Sequence, residues 1–275
     1  MKKQNTFIVV AAVTAAVIAA TWLLLAAPAL TGNQINMTRG VTSQSVINYN
    51  LHMTILWVCI VIGVIVFSAM FVSIALHRKS RDHEAAKFTH STKAEVVWTI
   101  IPVLILVVMA VPATRALINM EVAPETEMTV KITGFQWRWK YEYVEDDLNF
   151  ISSLDPESNA ARQLESGEDP ANVDNYLLEV DNPLVLPADT KIKFLITADD
   201  VIHSWWVPAL GWKRDAIPGF INEAWTEIKE PGIYRGQCAE LCGKDHGFMP
   251  IVLHVLPRDE YVAWVVHQQD QLAAN

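Results

Sequence analysis

Three long apolar runs, Phe7–Leu30, Leu51–Leu76 and Val96–Ile118, fill most of the N-terminal part of the chain, and beyond them the rhythm changes. Each run is long enough to cross a bilayer, which takes about 20 apolar residues. The first follows Lys2 and Lys3 and ends in Ala26-Ala27-Pro28-Ala29. A short basic start, an apolar stretch and small residues at its end read as a secretory signal peptide over 1–30, with an uncleaved anchor as the alternative. The other two runs predict a transmembrane helical hairpin over 48–118, with spans at 51–76 and 96–118. Their connection, residues 77–95, carries Arg78, Lys79, Arg81, Lys87 and Lys93. A loop this basic stays in the cytoplasm. The chain after Arg115 is therefore expected on the outer face.

From Met128 onward the apolar positions alternate with polar ones instead of running together. Met128–Gly134, Phe135–Tyr143, Leu177–Val180, Lys191–Ala198, Ala224–Lys229, Gly232–Cys238 and Ile251–Leu256 read as strands. Asp181-Asn182-Pro183, Pro218-Gly219 and Pro231-Gly232 mark turns between them. Short strands with such turns predict a β-sandwich. The polar stretch Glu145–Asn175 is expected to be a surface loop with little order of its own, and Arg258–Leu272 a closing helix. The fold class is thus an α+β membrane protein: signal segment, two-helix hairpin, then a Greek-key sandwich outside the cytoplasm over 121–275.

Charge sharpens this division. From Glu121 on there are 27 Asp/Glu against 12 Lys/Arg, or −15; the remainder has 3 against 9, or +6, and the two sum to the net −9. An acidic exported domain argues against nucleic acid and suits a basic protein partner drawn in by long-range steering. Ordinary solubility charge is the alternative.

Chemistry concentrates in Cys238-Ala239-Glu240-Leu241-Cys242-Gly243-Lys244-Asp245-His246-Gly247-Phe248-Met249. Cys59, the remaining cysteine, lies within the first span and reads as a small buried hydrophobe. Taken alone, Cys238 and Cys242 in an oxidising compartment would default to a disulfide. Their neighbours change that reading. Zinc gains nothing from a thioether, whereas Cys, His and a weak axial Met are the donors of copper electron-transfer sites. A mononuclear site needs one thiolate; two thiolates suit a bridged pair of coppers, each with its own imidazole. His246 is one imidazole, and His203, just after the Lys191–Ala198 strand, is the candidate for the other. His254 and His267 compete, but they fall in a strand and in the closing helix. Met249 would be the axial donor on one metal and the backbone carbonyl of Glu240 on the other. Such a site has no open position for a substrate, so it relays electrons.

On these residues the chain closely resembles subunit II of the haem–copper cytochrome c oxidases, which carry the dinuclear copper A centre. The resemblance runs from about Asn48 to about Trp264 and rests on GFQWRWKYEY, DDVIHSWWVPALGWKRDAIPG and GQCAELCGKDHGFMP. It implies a helical hairpin followed by a cupredoxin β-sandwich, with copper held by His203, Cys238, the Glu240 carbonyl, Cys242, His246 and Met249. Further roles are implied by position. Trp137 matches the residue through which electrons arrive from cytochrome c, with core packing as its alternative reading. The Glu240 carboxylate matches a ligand of a magnesium or manganese ion shared with subunit I. Glu95 matches an acid at the cytoplasmic mouth of a proton path, although it could equally face the positive end of its helix. Glu142, Asp199 and Asp200 match the docking face for cytochrome c. Phe135, where many members have His, and the cationic Arg138 and Lys140 depart from the family pattern beside Trp137. The chain so read is the electron-accepting subunit of a respiratory, proton-translocating oxidase in a bacterial inner membrane. Oxygen would be reduced on a haem-bearing partner. Two rivals are a membrane-anchored copper-binding or chaperone protein and a plain anchored sandwich with a Cys238–Cys242 disulfide.

Overall fold

In Lys191–Ala198 every second side chain is buried, and this period of two sets the plan of the exported domain. The computed structural model describes residues 2–31, 36–79, 84 and 87–274. Its helices α1 (Lys2–Thr31), α2 (Ser43–His77) and α3 (Thr92–Glu121) come first. The strands follow: β1 (Met128–Phe135), β2 (Arg138–Tyr143), β3 (Leu148–Ser152), β4 (Leu184–Pro187), β5 (Lys191–Ala198), β6 (His203–Val207), β7 (Trp212–Ala216), β8 (Asn222–Glu227), β9 (Gly232–Cys238) and β10 (Pro250–Leu256). A short helix α4 (Pro156–Ala161) lies between β3 and β4, and α5 (Arg258–Ala274) closes the chain.

The chain packs as two units, one of residues 1–37 and 49–114, the other of 38–48 and 115–275. In the first unit, α2 and α3 are long and apolar enough to cross a membrane, and the most apolar window of each leaves its side chains uncovered by protein. Lipid is the solvent such a surface requires. Pro102 and Pro112 lie inside α3, where a soluble helix would be broken.

The second unit is a sandwich of two five-stranded sheets, ordered β3-β2-β1-β5-β8 and β4-β10-β9-β6-β7. β1 runs parallel to β5 and β4 parallel to β10, and the other pairs are antiparallel. Val130, Ile132, Trp139, Phe194 and Ile196 from one sheet meet Leu184, Trp205, Val207, Ile251 and Leu253 from the other in one core. Phe194, Trp205 and Trp212 stack there with ring centroids 5.4–5.6 Å apart. Residues 38–48 join this unit through Thr42 Oγ1, which donates to the Leu210 carbonyl at 2.8 Å, and Gln44 Nε2, which donates to the Trp225 carbonyl at 2.9 Å.

The two sheets are also tied by a hydroxyl. Tyr143 Oη on β2 donates to the Val185 carbonyl at 2.9 Å and accepts from the Val185 N–H at 3.0 Å, so both backbone groups of an edge-strand residue are satisfied. Burial, with neighbouring Tyr261 adding to it, pushes the Tyr143 phenol well above its ordinary pKa, so it stays protonated and able to donate. Tyr143→Phe leaves two buried backbone groups without partners and is expected to cost about 2 kcal/mol. Urea unfolding checks this: the midpoint should fall with the slope unchanged.

Several expectations are corrected. Residues 145–175 are not a featureless loop, because β3 and α4 form within them. Asp155 caps α4 by accepting from Ser158 N at 3.0 Å, and Pro156 takes its first position, a start signal that the polar composition obscured. Phe135–Tyr143 is not one strand; Gln136 and Trp137 turn between β1 and β2. Leu177–Val180 is no strand; Val180 makes an isolated bridge to Leu154, beyond the end of β3. β4, β6 and β7 were not anticipated. β4 is buried on both faces and β6 almost so, and neither shows alternation to read.

Candidate metal centre

The ligand candidates come from two strand ends and one loop. His203 opens β6, Cys238 closes β9, and residues 239–249 return into β10. Trp205 pairs with Cys238 across β6 and β9, and Ala239 N donates to the Ser204 carbonyl at 2.9 Å, which holds the two strand ends together. His203 Nδ1 lies 4.0 Å from Cys238 Sγ, and Cys238 Sγ lies 3.4 Å from the Glu240 carbonyl oxygen and 3.9 Å from Cys242 Sγ. Cys242 Sγ is in turn 3.5 Å from His246 Nδ1 and 3.5 Å from Met249 Sδ. All six positions chosen from the sequence are thus gathered at one place. Both cysteines are free. His203, Cys238, Cys242 and Met249 are 7% exposed or less.

Charge makes this cluster a poor thiol pair and a good cation site. Burial opposes ionisation of Cys238, but His203 and nearby backbone groups outweigh it and hold its pKa below its ordinary value. Burial and the charge of Cys238 push Cys242 up to about 12. A second buried thiolate beside the first is therefore costly until a cation compensates it. Soft thiolate, thioether and imidazole donors fit copper.

Neighbouring residues hold the donors in place. Asp200 Oδ1 sits 2.9 Å from His203 Nε2, leaving Nδ1 aimed at the thiols, while its Oδ2 accepts from Gln136 N at 2.7 Å. Burial lowers the His203 pKa, but Cys238 and Asp200 more than offset that and raise it above the ordinary value. Trp139, fully buried, packs edge-on to His203 with centroids 5.9 Å apart and points its Nε1 toward the Met249 carbonyl at 3.4 Å. A side chain at Gly134 would meet Trp139 at 3.0 Å and the His203 ring at 3.1 Å, so one of those rings would have to shift by a few tenths of an ångström to admit it. Carboxylates that orient metal-bound imidazoles are worth about 10–100-fold in affinity. Asp200→Asn is expected to weaken copper retention about tenfold, read by competition with a chelator.

Trp137 lies in the β1–β2 turn, half-buried, and its Nε1–H donates to the Cys242 carbonyl at 3.2 Å. Gln136 Nε2 donates to the same oxygen at 2.9 Å. Lys244 Nζ stands 5.2 Å over the Trp137 ring, and Arg138 lies over Phe135 at 5.5 Å. The acids chosen for docking differ in their surroundings. Asp199 is exposed; Asp200 is committed to His203 and Gln136; Glu142 sits between Lys131 at 2.9 Å and Lys140 at 3.2 Å. Burial raises the Glu142 pKa, but these two ammonium groups win and hold it low. The Glu240 side chain is exposed on the ligand loop, and Glu95 is exposed in the first turn of α3. His254 lies in β10 and His267 in α5, apart from the cluster. Asp200 and Gln136 as supports were not recognised from the sequence. Only the Asp200-x-x-His203 spacing hinted at the first.

Comparison with known proteins gives a consistent result. Residues 128–256 match the family model described as cytochrome c oxidase subunit II, periplasmic domain, and residues 29–115 match the transmembrane domain of the same subunit. A probable cytochrome c oxidase subunit 2 of Rickettsia prowazekii is 42% identical over 219 residues, covering 79% of this chain and 66% of that one. Cytochrome c oxidase subunit 2 of Cyanidium caldarium is 40% identical over 222 residues, covering 78% of this chain and 83% of that one. The chain spans about two thirds of the length of the Rickettsia relative. Among solved structures, the periplasmic domain of subunit II of cytochrome oxidase from Bradyrhizobium japonicum is 38% identical, covers 55% of this chain and 99% of that one, and superposes with a TM-score of 0.47.

Proposed function

The chain belongs to the cytochrome c oxidase subunit II family, and from that premise we propose that it receives electrons from reduced cytochrome c for a respiratory oxidase of the bacterial inner membrane. It delivers them to a haem-bearing partner, subunit I, where oxygen is reduced to water and protons are pumped. His203, Cys238, the Glu240 carbonyl, Cys242, His246 and Met249 would hold the copper pair. Bound there, two coppers would supply reversible one-electron transfer.

The chain's own residues make that exchange fast by staying still. Asp200 and Trp139 fix the His203 ring, and Gln136 and Trp137 both grip the Cys242 carbonyl. Burial of His203, Cys238, Cys242 and Met249 limits the access of water to them. Trp137 connects the surface to the ligand loop through one hydrogen bond, which suits it as the point of electron arrival. The exported −15 charge draws a basic cytochrome c from a distance, with Asp199 the acid of the three left exposed and outside any ion pair among the described residues. Glu240 is proposed to offer its carboxylate to a magnesium or manganese ion shared with subunit I, and Glu95 to stand at the mouth of a proton path.

The observation that carries this reading is the convergence of six donors from His203 to Met249 around two free thiols 3.9 Å apart. A copper chaperone would expose its donors for release, whereas four of these six, His203, Cys238, Cys242 and Met249, are buried. The test is copper stoichiometry with electron paramagnetic resonance on the purified full chain. Two coppers per chain with a seven-line hyperfine pattern is the expected result. One copper with four lines, or none with an oxidised cysteine pair, overturns it.

A further inference from the structure

His203 and His246 are held in different ways. The outer nitrogen of His203 meets Asp200, but among the described residues no hydrogen bond is made to the outer nitrogen of His246. His246 instead begins a single 3₁₀ turn, His246–Phe248, whose N-cap Asp245 makes no side-chain capping bond. The Asp245 carboxylate points away from the turn, toward Arg162 Nη1 at 3.2 Å and Lys244 Nζ at 3.5 Å. The Arg162 guanidinium also lies over the Phe248 ring, 4.3 Å from its centroid. One side chain thus grips the residue before His246 and the residue before Met249.

Arg162 is itself anchored. It ends α4, its backbone N–H donates to the Ser158 carbonyl at 3.1 Å, and its Nε donates to Asn159 Oδ1 at 2.8 Å. Ser158 and Ala161 are buried, and Leu154 bridges to Val180 at the neck of the insertion, so α4 is fixed to the sandwich. A cavity of about 330 Å³ beside the turn is lined by Trp137, Asn159, Arg162, Asp245 and Phe248 among others.

We propose that Arg162 is a positioning residue for the metal centre, which clamps the turn bearing His246 and Met249 through Asp245 and Phe248. The insertion between β3 and β4 thereby acts as an external brace on the ligand loop. The proposal rests on the copper reading for its consequence but not for the clamp itself. A planar guanidinium makes both contacts at once, the ion pair through an N–H edge and the ring contact through its face. The compact lysine ammonium can make either contact but has no separate edge and face to make both together.

The test uses the full chain with Arg162→Ala and Arg162→Lys, and Glu168→Gln in the same insertion as a control for general disturbance. In the copper-free protein, amide hydrogen exchange of residues 243–249 should quicken about tenfold in Arg162→Ala, with the rest of the sandwich unchanged. In the copper-loaded protein, transfer to a chelator should quicken about tenfold and the hyperfine pattern should broaden. Arg162→Lys should recover part of both effects, and the control should match the parent chain. Unchanged exchange at 243–249 in Arg162→Ala overturns the clamp. If the parent chain takes up no copper while exchange still quickens, the copper reading fails and the clamp stands. Loss of protection throughout the sandwich in Arg162→Ala, with none regained in Arg162→Lys, would make Arg162 a general folding residue and also overturns the proposal.

Discussion

Cys242→Ser is expected to strip the centre of its copper pair and slow electron uptake about a thousandfold or more, equivalent to about 4 kcal/mol in the apparent barrier. Cys242 Sγ is the hub of the cluster: it lies within 3.9 Å of Cys238 Sγ and within 3.5 Å of both His246 Nδ1 and Met249 Sδ. A serine oxygen is a hard donor that neither bridges soft metals nor replaces a thiolate. Its loss leaves His203 and Cys238 on one side, with His246 and Met249 stranded on the other. Cys238→Ser should be milder, because Cys242, His246 and Met249 remain grouped and can still hold one copper. Copper content and paramagnetic resonance on both variants check the contrast. A seven-line spectrum persisting in Cys242→Ser would mean that the thiols are not the bridge.

Trp137→Leu should reduce the rate of electron uptake from cytochrome c about a hundredfold, or about 2.7 kcal/mol, while copper content and spectrum stay as they were. The reason the two separate is local. The Cys242 carbonyl accepts from both Trp137 Nε1 and Gln136 Nε2, so Gln136 keeps the ligand loop in place when the indole is removed. What disappears is the aromatic, half-buried contact between surface and ligand. Rapid-mixing reduction kinetics with reduced cytochrome c measure the effect, and an unchanged rate would place electron arrival elsewhere on the domain. A lost copper signal would instead make Trp137 a structural support. Trp139 is the internal comparison: it is fully buried and packs on His203, so its replacement should disturb the site itself.

Much of this was legible in the sequence because it depends on short-range pattern. The spans were readable as unbroken apolar runs, since a lipid-facing helix has no polar side to show. β5 and β9 were readable with their final bounds, β5 because one of its faces is core and the other is wet. The cluster was readable because five of the six positions proposed as copper donors fall within one twelve-residue stretch, and copper chemistry suits such a mixture. β4 and β6 were not readable, because strands buried on both faces lose the alternation that marks a strand.

The remainder was decided by tertiary structure, where contacts join residues that the chain keeps far apart. Trp137 meets Cys242 across 105 positions, and Arg162 meets Asp245 across 83. Asp200 looked like a surface acid for a partner until folding placed His203 Nε2 against it. The chemistry of the centre follows from residue type and therefore belongs to the sequence. Which imidazole each support orients, and which acids remain free for a partner, depend on where strand ends meet, and only the packed sandwich brings them together.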